Sequence, residues 1–265
     1  MAAAARPSSA RWRAYARIAG LAGLFLVYLP PHLTTKLLTG RSRWPRRFLG
    51  AAAHIAGARV TLVGEPLAPH SLVLANHVSW LDILILGGAT GTAFVSKAEV
   101  ERVALIGWLA DQNHTLYIER AERGDAHGQV QRIAKRLEGA QPLAIFPEGT
   151  TGDGRALLPF RPTLLHAVAP PPTDVAVRPV AIHYGEDTHA VAWHSGEHGL
   201  ANVLRVLGLA GTRQVIVHLL DPLPPASDRK HLARAAQAAI ADVLPSATPP
   251  DALDRDRFRL YQSET

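Results

Sequence analysis

The residues best suited to chemistry lie inside an apolar run. In "LVLANHVSWLDILIL", Leu72 to Leu86, an imidazole (His77) and a carboxylate (Asp82) stand five residues apart among Leu, Ile and Val. A neutral imidazole held by a carboxylate carries its proton on the bonded nitrogen, so the other nitrogen can take a proton from an alcohol, and the carboxylate then stabilises the imidazolium. The bland alternative is that Ser79 caps a helix, with Asp82 three residues on, and that His77 is an ordinary loop histidine. Ser79 could itself be a nucleophile, but it lacks the G-x-S-x-G elbow. A second cluster, "LAIFPEGTTGDG" from Leu143 to Gly154, is again an apolar run ending in a carboxylate and small residues: Glu148, Gly149 and Thr150. Glycines at such a turn let backbone N–H groups come close to an anionic or carbonyl oxygen.

Both clusters need a scaffold that brings strand ends together. Short aliphatic or β-branched runs read as strands: "ARVTLVG", "SLVLAN", "TAFVSK", "HTLYIE", "PLAIFPE", "VRPVAIHY", "HAVAW" and "QVIVHLL". Between them, residues 80–87, 100–110, 126–138, 160–168, 200–207 and 228–243 read as helices. This alternation predicts an α/β domain with a central, mostly parallel or mixed sheet flanked by helices. Such sheets place ligand crevices at the carboxyl ends of their strands, which is where His77 and Glu148 would fall. Three regions are expected: 1–57, a basic and apolar membrane-anchoring helical segment; 58–250, the α/β domain; and 251–265, a charged surface tail.

The chain has 265 residues and no cysteine, which excludes disulfides, thiolate metal sites and a cysteine nucleophile. Its formal charge of +6 is uneven: residues 1–64 hold ten of the 28 Arg and Lys and none of the 22 acids. Within this segment "AYARIAGLAGLFLVYLP", Ala14 to Pro30, has an uninterrupted apolar part of only twelve residues, Ile18 to Leu29. That is short of the roughly 18–20 needed for an unambiguous span. Arg6, Arg11, Arg13 and Arg17 precede it, Lys36, Arg41, Arg43, Arg46 and Arg47 follow it, and Trp12, Tyr15, Tyr28 and Trp44 lie near its edges. A signal peptide is basic only in front, so a shallow or re-entrant anchor at the cytoplasmic face of a membrane is the expectation, with anionic head groups as partners. A nucleic-acid role would rest on the basic N-terminus alone, and no recognised module supports it.

At this point the chain resembles the glycerophospholipid acyltransferase family typified by 1-acylglycerol-3-phosphate acyltransferases. "NHVSWLD" is similar to that family's first block, "LYIERAER" to its second, "FPEGT" to its third and "VRPVAIHY" to its fourth, in order over about residues 72–184. The resemblance implies a membrane-associated lysophospholipid O-acyltransferase that moves a fatty acyl group from acyl-CoA or acyl carrier protein to 1-acyl-sn-glycerol 3-phosphate, with no cofactor and no metal. It implies that His77 is the general base and that Asp82 orients it. Asn76, Arg120, Glu148, Gly149 and Thr150 would contact the acceptor, and Lys97, Pro179 and Val180 the acyl chain or head group. Many members read "FPEGTR" where this chain has Thr151, and "FPEGTT" is similar to branches acting on other lyso-lipids, including lyso-ornithine lipid. Lys97 or Arg161 could supply the missing cation. A non-enzymatic lipid-binding protein on the same fold is the competing class.

Overall fold

The computed structural model describes residues 7–118, 126–165, 175–225 and 228–245. In chain order the elements are α1 (Pro7–Thr39), α2 (Trp44–Ile55), β1 (Ala58–Val63), β2 (Ser71–Ala75), α3 (Leu81–Thr90), β3 (Ala93–Lys97), α4 (Ala98–Glu101), α5 (Ala104–Gln112), β4 (Leu116–Ile118), α6 (Ala126–Leu137), β5 (Leu143–Ile145), β6 (Ala176–His183), α7 (Thr188–Val191), α8 (Gly199–Gly208), β7 (Arg213–Leu219) and α9 (Arg229–Val243). The seven strands form one mixed sheet in the order β1-β7-β6-β2-β5-β3-β4. Strands β6, β2, β5, β3 and β4 run parallel; β7 pairs antiparallel with β6 and parallel with β1. The expected α/β architecture is therefore the observed one, and its mixed character arises at the β6–β7 junction.

Burial follows from strand position. Central β2 is buried on both faces, as its unbroken "SLVLA" requires, whereas β7 alternates buried and less buried positions. One core packs α3, α8 and the inner face of α2 against the sheet through Ala53, Leu81, Ile85, Leu86, Val206 and Leu207. The other packs α6 and α9 on the opposite face through Ile133, Leu137, Leu232, Ala236 and Ile240.

Three sequence expectations change here. "HAVAW" is not a strand: Thr188–Val191 is the short helix α7. Its carbonyls at Ala190 and Ala192 accept hydrogen bonds from Arg205, and Asn202 also donates to Ala192, so they are taken before any strand could pair with them. Residues 100–110 are not one helix but α4 and α5, broken at Arg102 and Val103. Of the helix expected over 160–168, only a 3₁₀ turn at Pro162–Leu165 forms, and residues 166–168 lie outside the described residues. The tail 251–265 and Arg120 also lie outside them.

The N-terminal helix is longer than its apolar letters imply. Helix α1 runs 33 residues, through Pro30 and Pro31, or about 50 Å at 1.5 Å per residue. It is long and apolar enough, by length and composition, to cross a membrane. Its inner face nevertheless packs along the body. Phe25 meets Phe48 and Trp108 edge-on, Tyr28 meets Trp44 at 5.4 Å, and His32 bridges Ser42 Oγ and Gln112 Oε1. Its outer face leaves Trp12, Tyr15, Leu26, Val27, Leu33, Leu37 and Leu38 exposed.

Two bases read as flanking charges do structural work. Arg17 donates to the carbonyls of Leu207, Leu209 and Gly211, and Arg13 to that of Gly208, so both close the C-terminal end of α8. Hydrogen bonds from a charged donor are each worth about 1.5–3 kcal/mol. Replacing Arg17 by Ala removes three of them, and thermal unfolding in detergent is expected to show a loss of about 2 kcal/mol or more. Arg17→Lys should recover only part of it, because one ammonium cannot fork onto three carbonyls.

Candidate active site

Three adjacent parallel strands, β6, β2 and β5, deliver Tyr184, His77 and Glu148 to the same edge of the sheet. The backbone leaving β2 is held at each step. Asn76 is buried, its Nδ2 donating to Ile182 O and its Oδ1 accepting from Ile182 N–H, so its amide splices the end of β2 to β6. Asn76, expected to contact the acceptor, thus also holds the frame together. The His77 N–H donates to Glu148 Oε1 at 2.7 Å, and the His77 carbonyl accepts from Gly152 N–H at 2.9 Å. The Trp193 N–H closes on Val78 O.

Asp82 enters on the first turn of α3, fully buried, where four donors meet its two oxygens. Oδ2 accepts from His77 Nδ1 at 2.8 Å and from the N–H groups of Val78 and Ser79 at 2.7 and 2.9 Å. Oδ1 accepts from the Tyr184 hydroxyl at 2.5 Å. The backbone contacts of a cap and the contact to the His77 ring thus share one carboxylate. An acceptor-only group at Nδ1 fixes the proton there and leaves the lone pair on Nε2. Nε2 has no hydrogen-bond partner among the described residues, and the His77 side chain is 18% exposed. The ring lies flat on Phe146, with centroids 4.1 Å apart and planes 18° apart, and Phe94 stacks behind Phe146. Burial, with Asp82 beside it, pushes the Tyr184 phenol well above its ordinary value, so it stays a donor.

Glu148 is also buried and spans two loops: Oε1 takes the His77 N–H and Oε2 the Leu158 N–H at 3.1 Å. Burial raises its pKa to about 8; the two N–H bonds oppose the shift and the Asp82 charge adds to it. Its side chain therefore braces the His77 loop. Gly149 follows with φ of 74°, a left-handed turn that favours glycine, and Thr150 is exposed beyond it. Lys97 is exposed at the end of β3, on the same edge. Arg161 is exposed, its N–H on Pro147 O. Pro179 and Val180 lie mid-strand in β6, buried and paired with Leu74 and Ala75. No group of three or more His, Asp or Glu stands together as a metal site among the described residues.

Two residues of this arrangement escaped the sequence reading. Tyr184 ends "VRPVAIHY" and Phe146 opens "FPEGT", so each had the same signal as His77: a side chain directly after a buried run.

An imidazole with a fixed tautomer, its second nitrogen unpaired among the described residues, at the carboxyl edge of an α/β sheet is an arrangement able to take a proton from a hydroxyl. The family described as Acyltransferase matches residues 59–183. A lyso-ornithine lipid O-acyltransferase of Pseudomonas aeruginosa is 39% identical over 214 residues, covering 79% of this chain and 81% of that protein. One of Brucella abortus is 32% identical over 259 residues, covering 89% and 95%. A 1-acyl-sn-glycerol-3-phosphate acyltransferase of Neisseria meningitidis is 32% identical over 129 residues, about half of each chain. In fold, the chain is similar to the 1-acyl-sn-glycerophosphate acyltransferase PlsC of Thermotoga maritima, with a TM-score of 0.62 at 21% identity, covering 88% of this chain and 94% of that one. The chain belongs to this acyltransferase family.

The raised pKa of Glu148 sets a pH dependence. Between its ordinary 4.5 and about 8 the folded chain keeps a proton that the unfolded chain has released, so stability from this group is fully present below 4.5 and lost as pH rises through about 8. In Glu148→Gln the amide NH₂ must face one of the two N–H donors, at a cost of about 1–3 kcal/mol. Thermal unfolding of parent and variant should show the parent more stable near pH 5 and the gap narrowing towards about pH 9.

Proposed function

We propose that this acyltransferase moves a fatty acyl group from an acyl thioester, acyl-CoA or acyl carrier protein, to the free hydroxyl of lyso-ornithine lipid at the surface of a bilayer. His77 Nε2 takes the hydroxyl proton as the oxygen attacks the thioester carbonyl. The tetrahedral intermediate then expels the thiolate, which recovers the proton from the imidazolium, and no acyl-enzyme forms. Asp82 holds the ring in its reactive tautomer, and the turn at Gly149 and Thr150 faces the acceptor. The observation that carries this reading is the His77 Nδ1–Asp82 Oδ2 bond with Nε2 left open at the strand edge.

The acceptor is argued from the relatives. Lyso-ornithine lipid O-acyltransferases cover from half to nearly all of their own length in the match, at 32–39% identity. Thr151 in place of the arginine of "FPEGTR" also removes a cation suited to a phosphate monoester. The Neisseria relatives favour 1-acylglycerol 3-phosphate as the second reading. The cytoplasmic face is proposed because both donors are met there and because Arg41, Arg43, Arg46 and Arg47 suit anionic lipid.

Purified chain supplied with labelled acyl-CoA or acyl carrier protein and both lyso-lipids should acylate lyso-ornithine lipid faster; faster acylation of 1-acylglycerol 3-phosphate would replace the first reading by the second. His77→Ala is expected to lose about 10²–10⁴ in rate. Parent-like turnover by that variant would rule out the general-base role. Tyr184→Phe strips Oδ1 of its donor and should cost about 1–3 kcal/mol of stability, measured by thermal unfolding.

A further inference from the structure

The corner between α4 and α5 places large apolar side chains in the open. Residues 101–106 are all exposed, and three of them are Val103 at 55%, Leu105 at 58% and Ile106 at 49%. The corner is built to protrude. Gly107 packs so tightly on the Glu101 backbone that a Cβ there would lie 2.3 Å from the Glu101 carbonyl oxygen, and its N–H closes on Val103 O at 2.7 Å. Gly107 itself is buried while the three apolar residues before it face out. The corner follows directly from Lys97, the last residue of β3, so it stands on the edge of the sheet that carries His77 and Glu148.

Helix α5 is also tied to α1. Trp108 meets the Phe25 ring at 5.9 Å and the His32 ring at 6.4 Å, and Gln112 Oε1 accepts from His32 Nε2 and Lys36 Nζ. These side chains place α5 next to the Phe25–Lys36 stretch of α1. The same stretch of α1 leaves Leu26, Val27 and Leu33 exposed. Single exposed apolar residues are ordinary, but three within four positions, on an element whose next turn is tied to a long apolar helix, are not. Lys97, Glu99, Glu101 and Arg102, neighbours of the three in the chain, are exposed as well, as residues at head-group level would be.

We infer that Val103, Leu105 and Ile106 dip into the boundary between head groups and acyl chains of a bilayer, forming a second lipid contact beside α1. This rests on the membrane reading of α1. The corner holds the His77 edge at the lipid surface, so an acceptor can present its hydroxyl while its chains stay in the bilayer.

The absence of cysteine makes the test direct, because one introduced thiol is the only labelling site. Leu105→Cys, Ile106→Cys, Leu37→Cys on α1 and Arg234→Cys on α9 would each carry a nitroxide in the full chain, bound to phosphatidylethanolamine–phosphatidylglycerol vesicles. Collision with oxygen against a water-soluble nickel complex is then read by power saturation. Lipid-like values at 105, 106 and 37 with an aqueous value at 234 are expected. Lipid at 37 with water at 105 and 106 would overturn the corner's role and leave the membrane reading standing. Water at 37 as well would remove the membrane reading itself. Shielding of 105 and 106 only on adding acyl carrier protein would replace the bilayer by a protein partner. Leu105→Asp should slow acylation of a long-chain acceptor in vesicles by about tenfold or more, the equivalent of one buried leucine, and leave the rate on a water-soluble short-chain acceptor within about twofold. Equal slowing on both acceptors would count against the inference.

Discussion

The site depends on a carboxylate that is wholly buried yet fully answered. Asp82 receives an imidazole, two backbone N–H groups and a phenol, so the cost of removing its charge from water is offset at every lone pair that matters. None of the four donors is redundant in what it fixes. The backbone pair sets the turn from β2 into α3, the phenol ties that turn to the end of β6, and the imidazole is left with one nitrogen to spend. The turn into α3, the tie to β6 and the hold on the His77 ring share a single pair of oxygens, and these four bonds let an ionisable group sit inside an apolar run.

Much of this was legible in the letters. Unbroken aliphatic runs such as "SLVLA" and "PLAI" mark strands buried on both faces, and the polar residues directly after them mark the strand ends where His77 and Glu148 stand. What the letters did not carry is information held by residues far along the chain. Asn76 looks like a binding residue until its partner, the Ile182 backbone, is in place 106 residues later. Tyr184 gains its meaning only because β6 lies beside β2, an order set by the whole sheet. "HAVAW" alternates like a strand, but the side chains of Asn202 and Arg205 capture its carbonyls. Periodicity reports local burial, and it is silent on side chains that arrive from another element.

The N-terminal segment shows the same division. Its charge and apolar content are plain in composition, but the use of each charge is not: Arg13 and Arg17 cap α8, Arg46 caps the end of α3 through Gly88 and Ala89, and Arg47 lies over Trp44. A helix fastened so thoroughly along one side, and apolar along the other, couples the body of the acyltransferase to whatever surface its outer face meets.

The two loops of the site are stitched through the main chain of His77. The His77 N–H and carbonyl are both held from the second loop, by Glu148 and by the backbone of Gly152. Thr150 and Thr151 sit between those anchor points and take part in neither stitch. Exchanges at these two positions can therefore reshape the exposed rim of the loop while both ties to His77 stay in place.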